Sequence, residues 1–298
     1  MLLIPETSPF HPDNDAAYAS WRSAKLANYP AALTEIVVEV EDPYNLSVAE
    51  KAAIAQGCER TNMAIYRLKS GDFADPTLPM AILRQVMPTL RVDRNAGADD
   101  DGVSALTLRD DPPFKHYIPY KAEAIQWHTD GYYNAPDKLI RAMVLHCGRQ
   151  SPDGGENQLM DHEMAYIRLR DENPDHIRGL MHPEAMSIPP RTDRQGEVIR
   201  PERVGPVFSV DEAGNLHMRY TARTVSIGWR DDALTKGAVA AIEKLLKSAD
   251  DPWIYQTRMQ PGDGLICNNV LHTRTGFEPA EDPAENRLMF RIRCLDRV

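Results

Sequence analysis

The chain has 298 residues, 42% of them hydrophobic, and a formal net charge of −10, which is length enough for one large domain with a sizeable core. That charge argues against nucleic acid as a partner, because phosphate backbones are bound by basic surfaces. No stretch approaches the roughly 18 apolar residues of a membrane span, the Met-Leu-Leu-Ile-Pro-Glu-Thr start lacks the regions of a secretory signal, and four scattered cysteines, none in CxxC spacing, fit a reduced cytoplasmic setting without a zinc cluster.

In chain order, residues 8–29 read as helical after Pro12, with Trp21 and Leu26 as apolar anchors. Glu35–Val40 is β-rich. Ser47 with Glu50 forms a capping box that opens a helix to about Arg60, and Asn62–Leu68 reads as a strand. Leu78–Thr89 is helical up to Pro88. Residues 92–113, rich in Asp, Gly and Asn, read as a solvated loop, with a lid as the alternative. Strand patterns then dominate: Ala124–Thr129, Ala142–His146 and Asn157–Asp161, followed by a helix at about His162–Asp171. Ile188–Val204 carries Pro and Arg with few apolar residues and reads as a surface insertion. Asp211–Asn215 is a hairpin turn. Asp231–Ala249 is an amphipathic helix, with Leu234, Ala238, Ala241, Ile242, Leu245 and Ala249 on one face, expected to cover a sheet. Trp253–Met259, Leu265–Val270 and residues 286–295 return to strands. Many short strands with inserted helices suit a mainly β, double-stranded β-helix (jelly-roll) barrel. The expected organisation is a single domain over 1–298, with an N-terminal α/β elaboration to about 113 and a barrel core from about 114.

The segment Trp127-His128-Thr129-Asp130 carries the most chemical information. In a strand, residues i and i+2 share a face, so His128 and Asp130 converge. His272, past the turn residues Pro261-Gly262-Asp263-Gly264, supplies a second imidazole near the end of an apolar run. Two His and one carboxylate make a set that suits non-haem Fe(II) with open positions. The last strand alternates strictly: Leu288, Phe290, Ile292 and Cys294 on one face, Arg287, Met289, Arg291 and Arg293 on the other. Arginines there are either solvated or turned inward onto an anion. A planar guanidinium pairs bidentately with a carboxylate, which offsets the cost of burying it.

Taken together, Trp-His-Thr-Asp-Gly (127–131), Leu-His-Cys (145–147), Gly-Gly-Glu-Asn (154–157) with Asp161, Asn-Asn-Val-Leu-His-Thr-Arg (268–274) and Arg-Leu-Met-Phe-Arg (287–291) resemble the taurine dioxygenase/TfdA-like family of Fe(II)- and 2-oxoglutarate-dependent oxygenases. The Leu-His-Cys and Gly-Gly-Glu-Asn pieces are similar to its γ-butyrobetaine hydroxylase branch. The resemblance implies His128, Asp130 and His272 as iron ligands and Arg287 as the anchor for the distal carboxylate of 2-oxoglutarate. It puts Asn157 where a Thr often helps that anchor; the amide can donate as a hydroxyl does. Arg291 stands where taurine-type enzymes hold a sulfonate, which hints at an acidic substrate group or a second grip on 2-oxoglutarate. With O₂ as the other co-substrate, the implied reaction turns 2-oxoglutarate into succinate and CO₂ while hydroxylating or desaturating a small anionic or zwitterionic metabolite. Asp130 favours these outcomes, since related halogenases carry a small residue there.

For the substrate, Tyr132 and Tyr133 would stack on it or cage it, a quaternary ammonium group included; a plain rim role is equally open. His116 is placed at the entrance. His146 and Arg274 are candidates to support the ligands. The competing readings are a metal-dependent isomerase or hydrolase on a related barrel and a catalytically silent binding protein. A small-molecule substrate is expected in each case, and a homo-oligomer is possible.

Overall fold

The computed structural model describes residues 4–94, 98–112, 114–193, 195–248 and 250–298, and the side chain of His116 also lies outside the described residues. In its first half the chain runs through α1 (Asp15–Ala27), β1 (Val37–Val40), α2 (Val48–Thr61), β2 (Met63–Leu68), α3 (Leu78–Val86), β3 (Val103–Leu106), β4 (Ile125–His128) and β5 (Ala142–Arg149). There follow β6 (Asn157–Met160), α4 (His162–Glu172), α5 (Pro174–Leu180), β7 (Met186–Ile188), β8 (Arg191–Thr192), β9 (Val198–Arg200) and β10 (Arg203–Gly205). The chain ends with β11 (Phe208–Val210), β12 (Leu216–Met218), β13 (Gly228–Trp229), α6 (Ala233–Leu246), β14 (Tyr255–Thr257), β15 (Asp263–Cys267), β16 (Leu271–Arg274) and β17 (Leu288–Cys294). The expected capping box forms: Glu50 N donates to Ser47 Oγ at 3.2 Å and Ser47 N donates to Glu50 Oε2 at 2.6 Å.

Two compact units emerge. One comprises Pro30–Gln126, Ile140–Leu159 and Tyr255–Val298. Its main sheet has the order β1-β2-β15-β5-β17-β3. Only β1 and β2 pair in parallel; the other pairings are antiparallel. One face of this sheet presents Tyr66, Val144, Ile266, Phe290 and Ile292 to Ile54 and Cys58 of α2 and to Ile82 and Leu83 of α3, forming a dry core. The alternation expected of 288–294 is therefore real, and Arg287, Met289, Arg291 and Arg293 take the face away from that core. β17 lies between β5 and β3. Its partner β3 falls inside the stretch read as a solvated loop. Val103 and Ser104 are each only 1% exposed, because four residues of adequate β-propensity suffice when an edge awaits them. A four-stranded sheet has the order β14-β6-β16-β4.

The other unit comprises Met1–Tyr29, Trp127–Leu139 and Met160–Ile254. Its core is an aromatic cluster in which Tyr166 meets Phe10, Trp21 and Phe208 edge to face at 5.5, 6.2 and 5.5 Å. α6 packs on α5 and α4 rather than covering a sheet, and Leu234, expected on its inner face, is 40% exposed. Residues 188–204 are not a plain insertion. β8 and β9 form a hairpin, and β10 joins β7 and β13 in a three-stranded sheet.

Candidate metal centre and anion clamp

β4 delivers His128, and the residues around it are fixed on both sides. Trp127 Nε1 donates to the Leu246 carbonyl at 2.9 Å. An isolated bridge pairs His128 with Thr221, Thr129 N donates to Tyr220 O at 3.0 Å and Tyr220 N to Thr129 Oγ1 at 3.0 Å. The strand ends at His128, so Asp130 sits in a turn rather than on the strand. Gly131 at φ 65° makes that turn, a conformation that glycine adopts without a steric penalty. Asp130 is 6% exposed, and its Oδ1 lies 3.8 Å from His128 Nε2.

His272 arrives differently from the expected single run. β15 stops at Cys267, the chain turns through Asn268 and Asn269, and β16 begins at Leu271. Asn269 has φ 53°, which Asn tolerates better than other side-chain-bearing residues, and its Nδ2 donates to Ile140 O at 2.7 Å. His272 Nδ1 lies 3.0 Å from the Val270 carbonyl. A carbonyl only accepts, so Nδ1 carries the proton and the Nε2 lone pair is left for a metal. His128, Asp130 and His272 each offer one ligand atom, and these atoms all lie within 4.8 Å of one another. Two imidazole nitrogens and one carboxylate oxygen suit Fe(II).

Arg287 is 9% exposed. Its guanidinium faces the Phe277 ring at 5.5 Å and has no carboxylate partner among the described residues. Burial pulls its pKa down. Gly155, at φ 79°, passes beside it; a Cβ there would stand 3.2 Å from Arg287 Nε. Gly155 thus makes room for the guanidinium, Gly154 lets the chain pass the backbone of Gly276 and Phe277, and Gly155 N holds the turn by donating to Gly276 O at 3.1 Å. A buried guanidinium without an acid of its own has the chemistry to take a carboxylate through two parallel hydrogen bonds. Arg274 shares the Phe277 ring, at 4.8 Å. Burial first, and the like charge of Arg287 second, lower its pKa to about 10. Its Nη2 donates to Lys121 O at 2.7 Å and to the Glu123 carbonyl, so it ties β16 to the segment that leads into β4.

Asn157 is 6% exposed and donates from Nδ2 to Thr273 O at 2.7 Å, which commits one of its two N–H bonds to the strand of His272. Arg291 is half-buried on the Arg287 face of β17, close enough to Tyr120 to counter the rise that burial imposes on that phenol. His146 does not support a ligand. It lies on the core face, with Nε2 donating to Phe73 O at 3.0 Å and Nδ1 accepting from Tyr66 Oη at 2.9 Å. Tyr132 and Tyr133 meet edge to face at 5.2 Å. Arg200 stands 5.6 Å over the Tyr133 ring, and Arg223 Nη1 donates to Tyr132 Oη at 3.2 Å. One cation thus borders the ring of Tyr133 and another the hydroxyl of Tyr132.

The sequence pattern of the family described as taurine catabolism dioxygenase TauD, TfdA family matches residues 35–293. A uridine-5'-phosphate dioxygenase from Amycolatopsis sp is 28% identical over 223 residues, 71% of this chain and 79% of that protein. Among solved structures, asparagine oxygenase aligns with a TM-score of 0.57 at 15% identity, over 87% of this chain and 92% of that one. The non-haem iron oxygenase OrfP, in complex with Fe and α-ketoglutaric acid, aligns with a TM-score of 0.58 at 16% identity, over 83% and 80%. No helix among the described residues is long and apolar enough to cross a membrane. With the family pattern running through the segments that carry the triad and Arg287, the chain belongs to the TauD/TfdA family, Fe(II)- and 2-oxoglutarate-dependent dioxygenases of the mainly β, jelly-roll fold.

Proposed function

We propose that His128, Asp130 and His272 hold Fe(II), that Arg287 binds the distal carboxylate of 2-oxoglutarate, and that residues 1–298 work as one catalytic domain on a small anionic or zwitterionic metabolite. The observation that carries this reading is the coincidence of a two-His-one-carboxylate group with a buried guanidinium that has no acid of its own. A hydrolase or isomerase has no use for such a clamp, and a silent binding protein has no need of the ligand set.

The bound iron, with 2-oxoglutarate and O₂, supplies the oxidising power for a C–H bond; the chain supplies placement. Val270 fixes the His272 tautomer by accepting the Nδ1 proton, so the ring offers Nε2 to the metal without a proton transfer. Arg287 orients the co-substrate from its far end, and Arg274 braces β16 beside it. Asn157, through its bond to Thr273, holds the His272 strand and has a second N–H to direct at the co-substrate. Arg291 and His116 are assigned to the approach of the substrate. Hydroxylation is the expected outcome, with desaturation as the variant.

The test is anaerobic titration of the Fe(II)-loaded protein with 2-oxoglutarate. A weak visible charge-transfer absorption should appear, and admission of O₂ should bleach it with formation of succinate. Absence of that absorption in folded, Fe(II)-loaded protein would overturn the assignment.

A further inference from the structure

The unit that carries His128 and Asp130 also gathers four arginines that meet no acid among the described residues. Several arginines meet acids: Arg22 with Asp171, Arg67 with Asp263, Arg91 with Asp296 and Arg168 with Asp251. Arg200, Arg203, Arg219 and Arg223 meet no carboxylate among the described residues, although the chain holds 44 acidic against 34 basic side chains. Their contacts are carbonyls and phenols. Arg200 Nη2 donates to Pro189 O at 2.8 Å. Arg219, 7% exposed, donates to the carbonyls of Tyr132, Met186 and Arg203 at 2.6, 3.2 and 2.8 Å. The Nε atoms of Arg200 and Arg203 are both buried and have no hydrogen-bond partner.

The cluster is built, not incidental. Gly205 leaves the space that the Arg219 guanidinium fills: a Cβ there would lie 3.2 Å from Nη1. Arg219 in turn binds the backbone of both Tyr132 and Arg203, so it places the other members. The bridge between His128 and Thr221 sets Arg219 and Arg223 two residues to either side of the position opposite a metal ligand. Tyr132 follows Asp130 by two residues. Burial depresses the pKa of Arg200, and burial followed by the charge of Arg200 brings Arg219 down to about 10. Like charges crowded without acids call for a counter-charge larger than one carboxylate.

We propose that Arg200, Arg203 and Arg223, placed by Arg219 and walled by Tyr132 and Tyr133, form a phosphate subsite, and that the substrate of this dioxygenase is a phosphate monoester carrying an aromatic group. Guanidinium forks match phosphate oxygens geometrically, a monoester dianion balances several cations, and the tyrosines offer ring faces and a hydroxyl beside it. The related uridine-5'-phosphate dioxygenase bears a name of the same chemical class. The inference rests on the oxygenase reading above only for what happens to the bound ester, not for its binding.

Calorimetry on anaerobic Fe(II)- and 2-oxoglutarate-loaded protein tests it, with uridine-5'-phosphate, uridine and inorganic phosphate as probes. The nucleotide should bind about tenfold or more tightly than uridine, and inorganic phosphate should compete with it. The double variant Arg200→Gln/Arg203→Gln should lose about tenfold or more of the nucleotide affinity while keeping its affinity for uridine and the visible 2-oxoglutarate absorption. Equal binding of nucleotide and uridine, or parental nucleotide affinity in the variant, overturns the subsite. If the variant does not fold, competition by inorganic phosphate on the unaltered protein decides alone: no competition overturns the proposal. Phosphate selectivity without the visible absorption upholds the subsite and sinks the oxygenase reading instead.

Discussion

Arg287→Met separates a clamp from a structural arginine, because the two roles predict opposite signs. The guanidinium is 9% exposed and faces Phe277 with no carboxylate among the described residues. Removing an uncompensated buried charge and replacing it with an apolar chain of similar length should leave the ligand-free protein as stable as the parent, or somewhat more so. Binding of 2-oxoglutarate should suffer instead. Two charge-assisted hydrogen bonds at about 1.5–3 kcal/mol each amount to a rise in Kd of about a hundredfold to about twenty-thousandfold. Differential scanning fluorimetry reads both effects. At about 100 times Kd a ligand adds about 2.7 kcal/mol of stability. For a chain of 298 residues, with about 2.1 cal/mol/K of unfolding entropy per residue, that is about 4 °C in Tm. The anaerobic Fe(II)-loaded parent should gain this shift and the variant should not. An equal shift in both proteins would refute the clamp. A fall of more than about 4 °C in the variant without ligand would refute the claim that the charge is uncompensated.

Asp130→Ala should weaken Fe(II) retention by more than the tenfold that even an indirect partner of a ligand is worth, measured as iron left after desalting, with the circular dichroism spectrum unchanged. Asn269→Ala should destabilise by about 2–4 kcal/mol, since it loses both an Asn at φ 53° and the bond to the buried Ile140 carbonyl; Asn269→Gly, free of the φ penalty, should lose clearly less in urea titration. His146 gives a pH dependence. Its folded pKa is lowered, chiefly by burial, with the Phe73 carbonyl, Asp263 and Asp75 pulling the other way. The unfolded chain therefore binds a proton at about 6.5 that the folded chain refuses, so stability falls as pH drops below that value, by at most about 1.4 kcal/mol per pH unit. His146→Gln should flatten the slope between pH 7 and 5, and an unchanged slope would assign it to other groups.

The candidate ligands His128 and Asp130 were legible from their two-residue spacing, although a turn rather than a shared strand face brings them together, and the face of Arg287 was legible from the alternation that runs to Cys294. The alternation alone could not say whether the arginines face water, and the dry core on Phe290 and Ile292 decides that by taking the other face. The turn at Asn268-Asn269 was misread as strand because its residues sit inside an apolar run; only the left-handed backbone at Asn269 separates β15 from β16. β3 was hidden for a related reason. Val103-Ser104-Ala105-Leu106 is too short to carry a periodic signal, and its strand character comes from pairing with β17.

The arginine cluster was the least legible feature, and the physics explains why. Its members come from three segments, around Tyr132, in 200–203 and in 219–223, so no spacing rule joins them. Ile188–Val204 also carries Asp193, Glu197 and Glu202, and a mixed-charge stretch with prolines reads as solvated. The acids, however, are exposed, and Asp193 Oδ1 accepts from the backbone N–H groups of Gln195 and Glu197, both at 2.9 Å. Composition balances charges within a segment, whereas folding segregates them by register. Arg200 ends up over the Tyr133 ring and beside Arg219 and Arg203, while β10 pairs with β7 and the bridge at Thr221 pairs with His128. A sign that sequence alone could have offered is Gly205, a glycine at the end of a strand, which marks a close approach by another group; here that group is the guanidinium that holds the cluster together.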